Sequence, residues 1–546
     1  MTESKAAFRP PWFDPSPPNR DTCVLRYLLE GGAKKHPSQR FALFEDESEW
    51  TWEEALSRTR ETAAGLQTLG VEAGDPVLAW LPNGSELLRV WFATNYLGAI
   101  FVPLNTAYRG AILEHAINLT KARLLVAHGQ LVERLAPLEL ERLETVICSS
   151  EDPKTEGLPA QIQYLEPTTL QGNAEDLCEQ PPIEPWDTQC VIYTSGTTGP
   201  SKGVLSPYLQ LYTTAVVNYG RMETGDCILV NLPMFHVGGT SAIYAALLRG
   251  GSIYLVDGFN TREFWNQIRR GNCSTSAGLI GAMAPFLSAA DPSERDKDNP
   301  LRYMTMFPIN EQTVALGQRF DFSHITGFNM TEVSTPLVSD VDSNVHFSCG
   351  KPRSGVECRL VDEWDMEVPA GQTGELIVRS AYPWTMNSGY LNMPEQTAEA
   401  WRNGWFHSGD MFRQDEDGNY FFVDRRKDMI RRRGENISSV EVEAALLRFP
   451  GITEALAIGV ASEVGEEDVL GVVVSLEELS LRDLHAFLQE QLPYFMVPRY
   501  FRQVEDIPKT NTNKPRKIFF REQGVTEDSW DAAAEGIVLR RERLTP

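Results

Sequence analysis

Residues 193–204 read YTSGTTGPSKGV, and this stretch says more than any other about how the chain folds and what it holds. Hydroxyls on Ser195, Thr197, Thr198 and Ser201 and three glycines, Gly196, Gly199 and Gly203, surround the ammonium of Lys202. Glycine lets backbone N–H groups approach anionic oxygens, hydroxyls add donors, and lysine adds a point charge. The stretch reads as a loop that wraps phosphate. It is not the common P-loop, because Gly203 rather than Ser or Thr follows Lys202 and the glycine spacing differs. A flexible surface turn is the alternative, and the density of phosphate-type groups argues against it.

Working outward, CVIY at 190–193 is an apolar strand leading into the loop, and 151–188 is an irregular connection rich in Pro, Glu and Gln. Further upstream, Thr51 and Glu54 form a capping-box pattern ahead of the helical EALSRTRETAAGLQTLG. Short apolar strands follow at Val77 to Leu81, at AIFVPL (99–104) and at ARLLVAH (122–128). This rhythm predicts a mostly parallel sheet covered on both faces. After Arg425 a basic run gives way to SSVEVEAALLRF, where Ser438 and Glu441 predict a second capping box, then to ITEALAIGV, VLGVVVSL and the helical SLRDLHAFLQEQL. That is a second, smaller α/β unit of about 120 residues.

With 546 residues the chain exceeds what one core organises, so two or more domains are expected. Lys and Arg number 50 against 75 Asp and Glu, a formal charge of −25 that repels nucleic acid and anionic membrane surfaces. An anionic ligand must therefore find a local basic site. The acidity also argues against reading Arg425, Arg426, Lys427, Arg431, Arg432 and Arg433 as a nucleic-acid patch. Eight cysteines without a C-x-x-C pair indicate neither a zinc cluster nor a redox motif. With no apolar signal core near the N-terminus and no segment apolar enough to span a membrane, a cytoplasmic protein is expected.

The 193–204 segment resembles the phosphate loop of the adenylate-forming superfamily of acyl-CoA synthetases, adenylation domains and luciferases. Further matches come in the family's order: NLPMFHVGG (231–239), NMTE (329–332), GELIVRS (374–380), WFHSGD (405–410), DRRKDMIRRRGENISSVEVE (424–443) and PKTNTNKPRK (508–517). Within the family the chain looks most like crotonobetaine/carnitine-CoA ligases. The resemblance implies an α/β protein with a large multi-sheet N-terminal adenylation domain, residues 1–426, which binds ATP and the acyl group. A small mobile α+β C-terminal domain, residues 427–546, would carry the catalytic Lys514 and pivot at Lys427.

It also implies roles. Thr194, Ser195, Gly196, Thr197, Thr198, Gly199 and Lys202 would hold phosphate, with Thr194 also in the catalytic group. Glu332 would bind Mg²⁺, since a hard cation prefers carboxylate oxygen, and Thr331 would assist. Phe328 and Asn329 would flank adenine, while Asp410, Phe422 and Arg425 would lie at the rest of the nucleoside. His236 would stand beside the carboxylate and the thiol path, with Gly434, Glu435 and Asn436 lining the approach of coenzyme A. Val237, Gly239, Ile280, Gly281, Phe307, Ile309, Met330 and Thr335 would line the acyl pocket. The implied reaction is activation of a small-molecule carboxylic acid by ATP, with release of pyrophosphate and transfer to coenzyme A. A carrier protein is the alternative acceptor, and homo-oligomerisation is open.

The chain departs from the family pattern in places. Phe328 and Asn329 stand where the family has Tyr and Gly, Asn513 replaces a glycine before Lys514, and FPINE (307–311) replaces a loop of small residues. These departures motivate a contrasting reading, a nucleotide-binding homologue that has lost catalysis. The joint presence of Lys202, Glu332, Asp410 and Lys514 argues against it.

Overall fold

The computed structural model describes residues 18–149, 158–194, 200–280, 283–425, 429–462, 465–475, 477–508 and 516–539. Two large sheets dominate the first part. One has seven strands, in the spatial order Gln163–Leu165, Thr145–Cys148, Leu124–Ala127, Pro76–Trp80, Ile100–Pro103, Thr188–Thr194 and Lys202–Pro207. All neighbours in it run parallel except the last pair. The other has five strands, ordered Cys273–Ser276, Cys227–Val230, Ser252–Leu255, Arg40–Phe44 and Glu49–Thr51.

Between them lies the main core, filled from the helices Trp52–Thr68, Ser85–Tyr96, Tyr208–Asn218 and Val237–Arg249 by large buried side chains such as Trp52, Trp91, Tyr208 and Tyr244. Strands buried on both faces read as continuous apolar runs, as the segments at 77–81, 99–104 and 122–128 do. The predicted capping box at the start of Trp52–Thr68 is present, with Glu54 N–H donating to Thr51 Oγ1 at 3.2 Å and Thr51 N–H to Glu54 Oε2 at 2.8 Å.

A three-stranded parallel sheet, Leu279–Ile280, Tyr303–Phe307 and Ser323–Ile325, follows, and then a four-stranded antiparallel sheet, Val356–Val361, Thr373–Ser380, Phe406–Gln414 and Tyr420–Arg425. Beyond these sheets stands a separate four-stranded sheet. Its long hairpin Ile452–Ala461 and Glu467–Ser475 is flanked by Tyr500–Gln503 and by helices Ser439–Leu446 and Leu481–Gln491. The mixed α/β class with a large first part and a smaller last one matches the expectation. Its expected junction at 426/427 falls on residues outside the described ones.

The last part docks on the first. Ile112 packs with Ile430, Ile437, Val442 and Leu446 in one apolar cluster. Within the basic run Arg432 is drawn inward: it is buried and gives Nε–H to Asp468 Oδ1 at 2.8 Å and Nη1–H groups to the carbonyls of Val497 at 2.8 Å and Phe495 at 3.1 Å. Among the described residues no helix is long and apolar enough to cross a membrane.

Candidate active site

The phosphate-type loop joins two antiparallel strands, with Thr194 opposite Lys202 in register. It is therefore a hairpin connection and not the strand-to-helix turn of the common P-loop, so no helix dipole stands behind it. Its central residues Ser195, Gly196, Thr197, Thr198 and Gly199 lie outside the described ones. The return strand is paired along its outer edge by residues 388–391: Leu205 N–H donates to the Gly389 carbonyl at 3.0 Å and Leu391 N–H to the Gly203 carbonyl at 2.8 Å. That pairing sets the Tyr390 ring 4.7 Å from Lys202 Nζ.

Tyr390 in turn donates its hydroxyl to Glu332 Oε1 at 3.0 Å. Asn387 holds the Glu332 carbonyl with its backbone N–H at 2.9 Å and its side-chain amide at 3.0 Å. Gln210 takes the neighbouring Thr331 carbonyl at 2.8 Å. Glu332 is only 3% exposed, and its second carboxylate oxygen has no hydrogen-bond partner. Burial pushes its carboxyl above the usual carboxylate range, the Tyr390 bond and the Lys202 charge pull it back, and the charge of Asp410 opposes them. Glu332, Lys202, Tyr390 and Asp410 thus form one electrostatic unit drawn from four separate segments.

An orphaned carboxylate oxygen in a buried setting is costly unless something comes to it. Magnesium fits. It is commonly held by one or two protein carboxylates, with substrate phosphates and waters completing the shell, and among the described residues no group of three His, Cys, Asp or Glu forms a protein cage.

The strand Phe406–Gln414 buries Asp410, which lies opposite Arg425 in register. The side chain of Arg425 is outside the described set. Phe328 and Phe422 both stand edge-on to the buried Phe412, with centroids at 4.9 and 5.5 Å, and Phe422 keeps an exposed face. Met330 packs against the same apolar cluster as Phe328. Asn329 Oδ1 accepts the Thr335 N–H at 3.2 Å, which orders the turn where Ser334 and Thr335 take positive φ.

Of the residues expected at the acyl pocket, His236 precedes helix Val237–Arg249, and Val237 and Gly239 occupy its first turn. Gly239 has a packing reason: a Cβ there would lie 2.3 Å from the Pro233 carbonyl oxygen and 2.7 Å from that of Leu232. Ile309 and Thr335 are fully buried and Phe307 is half-buried. The Ile280 side chain and Gly281 lie outside the described residues, as do Lys427 and Lys514.

His236 Nε2 meets Glu435 Oε2 at 3.0 Å across 199 residues of sequence. Glu435 reaches it from a two-residue hairpin in which Arg433 and Gly434 both take positive φ, the geometry that suits a twisted hairpin. Gly434 N–H donates to Glu466 Oε2 at 3.0 Å, which fixes the turn on the small sheet. Asn436 pairs with Arg431 in the hairpin.

The structure also corrects the second capping box. Ser438 Oγ accepts the Glu441 N–H at 3.4 Å, but the Glu441 carboxylate does not return to Ser438 and instead takes Ser201, so only half the box forms. Tyr390, Asn387, Gln210 and Glu441 are absent from the sequence-based site, because each joins it through pairing or docking that no local pattern announces.

Two family models match the chain: AMP-binding enzyme over residues 29–391 and AMP-binding enzyme C-terminal domain over residues 441–514. A crotonobetaine/carnitine–CoA ligase of Salmonella arizonae is 30% identical over 475 residues, covering 84% of this chain and 91% of the relative. Among solved structures, a double mutant of o-succinylbenzoate CoA synthetase from Bacillus subtilis, bound with its product analogue, superposes with TM-score 0.77 at 22% identity, covering 92% of this chain and 99% of that one. An anthranilate CoA ligase in complex with anthranoyl-AMP does so with TM-score 0.66 at 23% identity, covering 92% and 97%.

Proposed function

The chain belongs to the AMP-binding enzyme family, and from that premise we propose that it activates a carboxylic acid with ATP to an acyl-adenylate, releases pyrophosphate, and transfers the acyl group to the thiol of coenzyme A. The observation that carries the reading is the buried Glu332 carboxylate, with one oxygen on Tyr390 and the other unpartnered, beside Lys202 and Asp410. Magnesium held at Glu332 would neutralise phosphate charge and orient the triphosphate.

The substrate carboxylate itself attacks the α-phosphorus, so no enzyme nucleophile is required. Lys202 and the loop donors stabilise the departing pyrophosphate, and Asp410 accepts from the ribose hydroxyls. Phe328 and the exposed face of Phe422 offer adenine an aromatic surface. In the second half-reaction the thiol sulfur attacks the acyl carbon and AMP leaves. His236 and Glu435 meet at the mouth of the acyl side, where Glu435 binds the imidazole through Nε2 and fixes its orientation.

Because curated relatives are named for crotonobetaine and carnitine, betaine-like acids come first in a screen, followed by short-chain, aryl and fatty acids. A carrier-protein phosphopantetheine is the second acceptor to test, since it presents the same thiol. Incubation of the purified chain with ATP, Mg²⁺ and each acid should release pyrophosphate and AMP once coenzyme A is added. ADP and orthophosphate as the only products would overturn the reading.

A further inference from the structure

Cys227 and Cys273 open two neighbouring parallel strands, Cys227–Val230 and Cys273–Ser276, and stand opposite one another in register. Their sulfurs lie 3.6 Å apart across 46 residues of sequence. Neighbouring strands run about 4.8 Å apart, inside the Cα separation of about 4.4–6.8 Å that a disulfide accepts. The register slips directly after the pair: Ile228 pairs with Thr275, which leaves Ser274 as a bulge residue whose hydroxyl donates to the Cys227 carbonyl at 3.4 Å. No C-x-x-C spacing announces these two thiols, because strand order brings them together.

Both residues belong to the apolar cluster that holds Leu229, Phe264 and Ile268, and they are 3% and 0% exposed. Burial pushes the thiols of Cys23, Cys190 and Cys358 up. Cys227 differs. The contact with Cys273 pulls its thiol below the ordinary range against the effect of burial, and the Ser252 hydroxyl and the Arg40 charge add to that pull. Burial pushes the Cys273 thiol well above the ordinary range, and Cys227 adds to the push. Arg40 is fixed at this end of the sheet by its Nη2–H bond to the Gly271 carbonyl at 2.9 Å. Thiolate is the nucleophilic form of cysteine, and a nearby cation favours it, so the two sulfurs are suited to different tasks, Cys227 to attack and Cys273 to resolve. Solvent is near: Thr224 and Gly225 ahead of Cys227 are exposed, as is Asn272 ahead of Cys273.

We propose that Cys227 and Cys273 form a modification site, a dithiol that hydrogen peroxide converts to an intramolecular disulfide and that a thiol reductant restores. The Cys227 sulfur attacks one peroxide oxygen, the O–O bond breaks, and Cys227 sulfenic acid forms with release of water. The Cys273 sulfur then attacks the Cys227 sulfur, the S–O bond breaks, and the departing hydroxide takes the Cys273 proton to leave as a second water. Two thiols lose two electrons and one peroxide gains them. The bridge ties the strand that leads into residues 231–239 to the strand that leads into Leu279–Ile280. It lies at the opening ends of these strands, and its chemistry does not depend on the adenylation reading.

The test uses the full reduced chain, treated with a modest excess of hydrogen peroxide, alkylated after denaturation and mapped as peptides without reduction. Wild type should lose two alkylatable thiols and yield a linked peptide joining Cys227 to Cys273, and dithiothreitol should restore both thiols. The oxidised chain should melt about 2 °C or more above the reduced one, because the bridge constrains the unfolded chain. Cys273→Ser, which removes the resolving sulfur, should stop at a sulfenic acid on Cys227 that dimedone traps. Cys227→Ser should give neither linked peptide nor trapped adduct at Cys273. If either variant fails to fold, the wild-type peptide map decides alone. Oxidation confined to the exposed Cys178, a bridge to any other cysteine, or Cys227 and Cys273 both still alkylatable after peroxide overturns the proposal.

Discussion

Glu332 shows how a residue legible in sequence acquires its meaning from residues that are not. The NMTE segment marks it, yet its free oxygen is aimed and its charge tuned by Tyr390, 58 residues away, which reaches it because residues 388–391 pair with the strand Lys202–Pro207. Two predictions follow from this geometry. Glu332→Gln keeps volume and burial but removes the charge that a magnesium–phosphate complex needs, so pyrophosphate release should fall by about a hundredfold or more, a loss of about 3 kcal/mol of transition-state stabilisation. The fold should stay intact, and undiminished release at low Mg²⁺ would refute the role. Tyr390→Phe removes one hydrogen bond to a charged group, worth about 1.5–3 kcal/mol. It should lower kcat/KM for ATP by about tenfold or more without changing the thermal transition by more than a few degrees, and wild-type kinetics would show that the bond is idle. No spacing rule links Tyr390 to Glu332, because the contact is set by strand order.

At the level of elements, the parallel strands, the helix after Thr51 and the helices of the last part were readable from apolar periodicity and caps, because each of those signals is local. The Ser438–Glu441 pattern looked the same on paper as Thr51–Glu54, but only the latter closes into a full box. The difference lies in tertiary competition: Ser201 offers Glu441 two donors, and Glu54 has no such rival. Gly239 makes a related point. The family resemblance implies a place for it in an acyl pocket, whereas its bare Cα is also what lets the first turn of Val237–Arg249 seat on the carbonyls of Leu232 and Pro233. Adding a methyl at 2.3 Å from a carbonyl oxygen must displace that turn. Gly239→Ala should cost about 1–3 kcal/mol of stability and shift His236 and Val237 with the helix. The expected signature is a lower melting temperature together with a raised KM for the acid and little change in KM for ATP. A variant with native melting and native kinetics would mean that the turn accommodates the methyl freely.

For the whole molecule, sequence announced two units but not their arrangement, since the docking depends on contacts such as His236–Glu435 and Ser201–Glu441 between segments about 200 residues apart or more. In this posture the hairpin of Met429–Arg432 and Glu435–Ser438 presents Glu435 to His236. Lys514 lies outside the described residues, between Pro508 and Arg516, whose carbonyl and N–H meet at 2.8 Å. The family resemblance gives Lys514 the task of contacting the substrate carboxylate and α-phosphate during adenylation, and a long, flexible point charge suits a transient contact of that kind. One segment cannot serve both half-reactions in one posture if Glu435 must hold His236 in the second, so a rotation about Lys427 between the steps is the economical solution, as with other mobile domains. Lys514→Ala should then depress acyl-adenylate formation by about two to three orders of magnitude, the scale expected when a charge at the transition state is lost. Conversion of supplied acyl-adenylate and coenzyme A to thioester should stay within about twofold of wild type, because no step after the rotation needs Lys514. Both half-reactions are measured on the same purified variant. Equal loss in both would reject the two-posture account, and unchanged rates in both would reduce Lys514 to a solvated lysine in an Asn- and Pro-rich segment.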